Sequence, residues 1–177
     1  FSVMQWPNDP EWGQFIADQV ERGVPALTEA VGADWPIDGE TQIREAYSNY
    51  FDGYAGWFNP DSNEMQLGDD LEQIVVLHEL SHAWFNDDWF SDRWLSEGFA
   101  EAYAAIVMQQ LGGEPNAPIE VSTDDPGAVA LETWADPKYS TDGTDDTEQY
   151  GYATSYYIVS TLVDEIVMVY PEAPDGG

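Results

Sequence analysis

Apolar residues at helical spacing first appear at Phe15, Ile16 and Val20. They return at Leu27 and Val31 after a break at Gly23–Pro25. Asp9-Pro10-Glu11 opens this helix, with proline at the first helical position and acid in the first turn. Gly32 is the expected stop. Residues 1–9 read as an extended lead-in. The period then shortens. Residues 41–47 read as a strand, and residues 54–59 and 64–67 flank Pro60-Asp61-Ser62-Asn63, which predicts a β-hairpin.

From about Leu71 to Asn86 the chain is apolar nearly all round, behind the capping aspartates of Gly68-Asp69-Asp70. This predicts a central, buried helix. A further helix is expected from near Asp92 to about Leu111, ended by Gly112-Gly113. Residues 112–148 read as a long, acidic, irregular segment with a short helix near residues 128–134. A last helix is expected over about residues 150–170, followed by a flexible tail over residues 171–177. Together these elements predict one α+β domain over residues 1–170, with a small twisted sheet packed on helices.

Composition changes the picture at the surface. The net charge is −31, from 35 acidic residues against Arg22, Arg44, Arg93 and Lys138. Almost nothing could neutralise phosphates, so nucleic acid is excluded as an expected partner. No stretch is long and apolar enough to predict a transmembrane helix. Few lysines among many carboxylates suit a high-salt environment, where salt screens the self-repulsion. There is no cysteine, so disulfides, thiolate metal sites and cysteine nucleophiles are excluded. The chain starts at Phe1, as expected of a processed form or a domain of a longer protein, and a secreted or cell-surface setting is the expected one.

The chemistry concentrates in the buried helix, at His78-Glu79-Leu80-Ser81-His82. Residues four apart lie about 40° from superposition on a helix, so both imidazoles can meet one metal ion. Glu79 lies about 100° around from His78, beside the ion and not on it. The chain has two histidines, and both are here. A catalytic zinc site needs a third protein ligand and an open position. Carboxylates on the element that follows are the candidates for that ligand.

That element carries Trp94-Leu95-Ser96-Glu97-Gly98-Phe99-Ala100. Together, the two segments resemble the gluzincin metallopeptidases, the group of thermolysin and the aminopeptidase N-like enzymes. There H-E-x-x-H on one helix is paired with a glutamate ligand on the next, within W-L-N-E-G-F-A in the aminopeptidase-like branch. The likeness is closest to the small peptidase MA-like domains. Ser96 departs from that pattern, and the 14 residues between His82 and Glu97 make a shorter spacer than in the best-known relatives.

The resemblance implies a zincin-like fold and one catalytic Zn²⁺ held by His78, His82 and Glu97. It implies hydrolysis of peptide bonds by a zinc-bound water that Glu79 activates. Glu101, one turn after Glu97, would orient His78. A downstream tyrosine would donate to the oxyanion. Aligning Ile158, Val159 and Leu162 with the family's apolar helix points to Tyr152, with Tyr150 as the alternative. The hairpin strand with Gly56 and Trp57 would receive the substrate backbone by strand addition. The G-x-M-E-N segment that anchors a free amino terminus in aminopeptidases has no counterpart, Glu64-Met65 included. The alternative reading is a catalytically silent, zinc-stabilised binding or scaffold domain. Asp142-Gly143-Thr144-Asp145-Asp146-Thr147-Glu148 is a candidate Ca²⁺ segment, although it matches no EF-hand spacing.

Overall fold

A computed structural model describes residues 1–70, 72–135 and 144–169. Its architecture is α+β, as expected, with four helices and one four-stranded sheet. The strands are β1 (Ser2–Met4), β2 (Gln42–Glu45), β3 (Gly56–Asn59) and β4 (Glu64–Leu67). The helices are α1 (Pro10–Val31), α2 (Gln73–Ser81), α3 (Arg93–Gln110) and α4 (Asp146–Val169). The sheet order is β1-β2-β4-β3, parallel except for the antiparallel β3/β4 hairpin. The lead-in therefore supplies a strand, with Val3 opposite Ile43. β3 forms the other edge.

Helix α1 starts and stops where its sequence says. The Asp9 side chain accepts from Trp12 N at 3.1 Å, and Gly32 takes the left-handed conformation at φ 73°. The break at Gly23–Pro25 is absent, and Pro25 sits inside the helix. Packing overrides the local signal here. A Cβ on Gly23 would lie 2.7 Å from Leu77 Cδ2, so glycine lets α1 press against α2. Trp12, Ile16 and Leu27 of α1 meet Ile43, Met65 and Leu67 of the sheet and Val76, Leu77 and Leu80 of α2 in one core.

The helix α2 is shorter than its apolar run. It begins after Glu72 with no side-chain cap. Asp69 instead accepts from Ser48 N at 3.0 Å. Beyond Ser81 the chain tightens into turns, with Ala83 N bonding Leu80 O at 3.1 Å and Trp84 N bonding Ser81 O at 3.0 Å. That leaves His82 at the very end of α2, with its backbone N–H on His78 O and Leu80 O. The short helix expected near residues 128–134 is a 3₁₀ turn at Leu131–Thr133. Helix α4 starts a turn earlier than expected, at Asp146. Asp145 Oδ1 accepts from Thr147 N at 2.9 Å at its entrance. Residues 171–177 and the Asp142-Gly143 part of the Ca²⁺ candidate lie outside the described residues. Among the described helices, none is long and apolar enough to cross a membrane.

Helices α3 and α4 cross at small residues. A Cβ on Gly98 would lie 2.7 Å from Val159 Cγ2 and 2.8 Å from Ser155 O. Glycine at this point of the Trp94–Ala100 segment is what allows the two helices to approach so closely. The contact sets how far Tyr152, one turn before Ser155, stands from Glu97, one residue before Gly98.

Candidate metal centre

Helix α2 carries His78, Glu79 and His82 at its C-terminal end, and α3 carries Glu97 and Glu101 across from it. Three ligand atoms converge. His78 Nε2 stands 3.1 Å from His82 Nε2 and 3.2 Å from Glu97 Oε2, and His82 Nε2 is 3.5 Å from the same oxygen. Donors at about 2.0–2.1 Å from a tetrahedral ion stand roughly 3.3–3.4 Å from one another. The observed triangle has those edges within a few tenths of an ångström, so His78, His82 and Glu97 together can hold a metal ion.

The far ring nitrogens fix the tautomers. His78 Nδ1 lies 2.8 Å from Glu101 Oε2, and His82 Nδ1 lies 2.8 Å from Phe85 O. Both partners are acceptors, so both Nδ1 atoms donate. Each neutral ring then turns its Nε2 lone pair towards the other and towards the Glu97 carboxylate. Such an array is repulsive unless a cation or a proton sits within it. The Phe85 carbonyl is held in turn by Ser96 Oγ, which donates to it at 2.7 Å. Ser96 thus supports the second imidazole through a backbone oxygen.

The electrostatics agree. Burial would lower the His78 imidazole, but Glu101 and Glu97 outweigh it and hold it well above its ordinary value. Burial likewise opposes the rise at His82, which Glu97 produces. Burial would raise Glu97, yet the two imidazoles keep it far below the usual carboxylate range. Glu79 is different: burial raises it above the ordinary glutamate value despite the nearby imidazoles. The backbone N–H of Phe58, on the edge strand, donates to it.

The site lies on a cleft bounded by β3. Ala55 O accepts from Gly68 N at 3.0 Å, and Trp57 is paired with Gln66. By strand alternation, Ala55, Trp57 and Asn59 turn their backbone groups to β4, while Gly56 and Phe58 turn theirs outward. One half of the cleft, about 520 Å³, is walled by Ile74, Val75, Ala117, Ile119 and Ala153. The other half, about 470 Å³, is more polar, with Asn59, Asp61, Asn86 and Asp87. His78, Glu79, Gly56 and Tyr152 border both halves. Gly56 is buried, with a hypothetical Cβ only 2.8 Å from Gln66 O. Trp57 is 40% exposed, rests on Tyr54 at 4.8 Å and borders the polar half.

Of the two tyrosines left open by the sequence, Tyr152 borders the cleft and Tyr150 is buried outside its walls. Burial and the Glu97 carboxylate hold the Tyr152 phenol well above its ordinary value, so it keeps its proton.

One pair has no counterpart among the sequence expectations, which held Glu148 only as part of the Ca²⁺ candidate and Arg93 only as one of four cations. Arg93 is 8% exposed and Glu148 4% exposed, and they form a bidentate pair at 3.1 and 2.9 Å. Glu148 also accepts from Trp134 Nε1 and Tyr54 OH, both at 2.8 Å. That commits one of the carboxylates of the Ca²⁺ candidate to other partners. The available signal was scarcity: Arg93 is one of four cations and directly precedes the Trp94–Ala100 segment. Comparison of the chain with protein-family models, curated proteins and solved structures finds no match.

Proposed function

We propose that this protein is a zinc-dependent metallopeptidase of the gluzincin type, with a zincin-like fold. The observation that carries the reading is the triangle of His78 Nε2, His82 Nε2 and Glu97 Oε2, with Glu79 beside it on the floor of a cleft. A donor set of two imidazoles and one carboxylate suits Zn²⁺ and leaves a position open. When bound, zinc supplies Lewis acidity, making water a nucleophile near neutral pH and polarising the carbonyl to be attacked.

The remaining roles belong to the chain. Glu79 takes a proton from the attacking water and delivers it to the departing amine nitrogen. Burial raises its pKa above the ordinary glutamate value, which favours its taking up the proton it must later release. Tyr152 donates its phenol hydrogen to the oxyanion of the tetrahedral intermediate. Glu101 keeps His78 in the tautomer and orientation that ligation needs. The outward backbone groups of Gly56 and the outward carbonyl of Phe58 pair with an extended peptide, and Trp57 forms the rim. Room on both sides of the cluster supports cleavage within a chain.

The test combines metal analysis with a mixed peptide library. Hydrolysis that chelator removes and zinc restores, and that Glu79→Gln abolishes with zinc retained, supports the proposal. Stoichiometric zinc without any hydrolysis by the unaltered protein would favour a silent binding domain instead.

A further inference from the structure

Arg93 is buried between two rings, its Cζ 4.0 Å from the Trp134 ring centroid and 5.3 Å from that of Tyr152. A guanidinium has five N–H donors in a rigid fork. Four can be assigned in pairs. Nη1 donates to Glu148 Oε1 at 3.1 Å and to Ala135 O at 3.0 Å. Nη2 donates to Glu148 Oε2 at 2.9 Å and to Tyr152 OH at 3.0 Å. The fifth donor, on Nε, is buried without a hydrogen-bond partner, and its nearest anion is Glu97 Oε1 at 3.6 Å. The other oxygen of Glu97, Oε2, faces the imidazoles.

Two consequences follow from donor counting. Arginine can only donate, so its bond to Tyr152 occupies a lone pair of the phenol oxygen and leaves the O–H hydrogen free for the cleft. Its charge also attracts Glu97 Oε1 away from the cluster, leaving Oε2 as the oxygen presented to a metal. Glu148 fixes the guanidinium, and each of its oxygens already has two donors. A fixed charge thus couples α3, α4 and the turn at Leu131–Thr133 to two groups of the site.

We propose that Arg93 is a positioning residue that presents the Tyr152 phenol as a donor and sets which Glu97 oxygen faces the metal. The inference rests on the metallopeptidase reading and assigns a role that the two helix motifs do not carry. Its test uses the zinc-loaded full chain. Arg93→Gln should lower kcat about 10- to 100-fold, as loss of an orienting partner does, with KM little changed. Because Arg93 acts in part through Tyr152, the double variant Arg93→Gln/Tyr152→Phe loses less than the two single losses combined. A second readout needs no turnover: in the cobalt-loaded protein, Arg93→Gln shifts the visible ligand-field bands because Glu97 Oε1 is no longer held away from the metal, while Tyr152→Phe leaves them in place.

Additive losses together with unchanged cobalt bands would overturn the proposal and leave Arg93 as a packing residue. Should Arg93→Gln fail to fold, Arg93→Lys carries the same measurements, since one ammonium cannot fork between Glu148 and the phenol. Absence of hydrolysis by the unaltered zinc-loaded protein would sink the peptidase reading itself, and that result is visible before any Arg93 variant is compared.

Discussion

Replacing Gly98 with alanine tests how the fold holds the site. Alanine in a helix interior ordinarily gains about 1 kcal/mol over glycine. Here the added Cβ would stand 2.8 Å from Ser155 O and 3.1 Å from Ser155 C, where ordinary contact begins at 3.4 Å. Those are backbone atoms of α4 and cannot rotate aside, so α3 and α4 must part by roughly 0.6 Å. Overpacking of this kind costs about 1–3 kcal/mol, and immovable backbone puts it at the upper end. The net loss is about 2 kcal/mol, or a Tm lower by roughly 4–8 °C in a chain of this size. Gly23→Ala is the comparator. Its new contact is the flexible end of Leu77, so the net change stays within about 1 kcal/mol. The assay is thermal unfolding followed by circular dichroism in one buffer of fixed salt. A Tm for Gly98→Ala that rises, as propensity alone demands, would refute the packing argument.

Three further outcomes are expected. Glu101→Ala should weaken zinc binding about tenfold, the low end for an orienting partner, because the Glu101 side chain is 31% exposed; chelator competition reads it, and unchanged affinity would sink the assignment. Glu45 is buried beside Asp9 and its carboxyl is raised above the ordinary glutamate range by burial, so its ionisation opposes folding above that raised value. Glu45→Gln, which can still accept from Trp6 N, should therefore stabilise the protein near neutral pH by about 1 kcal/mol or less, the gain vanishing below the ordinary glutamate range; denaturant titrations across that window check the sign. Raising NaCl from about 0.1 M to 1 M shortens the screening length from roughly 10 Å to 3 Å and should raise Tm in a chain of net charge −31; a flat or falling Tm would argue against self-repulsion as the dominant charge effect.

What the sequence determined was local. Apolar periodicity, Asp9 with Pro10, Gly32 and the Pro60–Asn63 turn specified α1 and the β3/β4 hairpin, because caps and turns depend on a few adjacent residues. Helical spacing put His78 and His82 on one face, since that requires only the pitch of an α-helix. Tertiary packing decided the rest. It carried α1 through Pro25, made the lead-in a strand, and shortened α2 so that His82 stands at its end. It brought Glu97 Oε2 within 3.5 Å of both imidazoles across a helix pair whose approach Gly98 permits. It also turned Arg93 and Glu148, 55 residues apart and unconnected in the linear chain, into a buried pair beside Tyr152. No period or motif encodes that pair. A charge is kept inside a protein by partners that only the folded chain brings within reach.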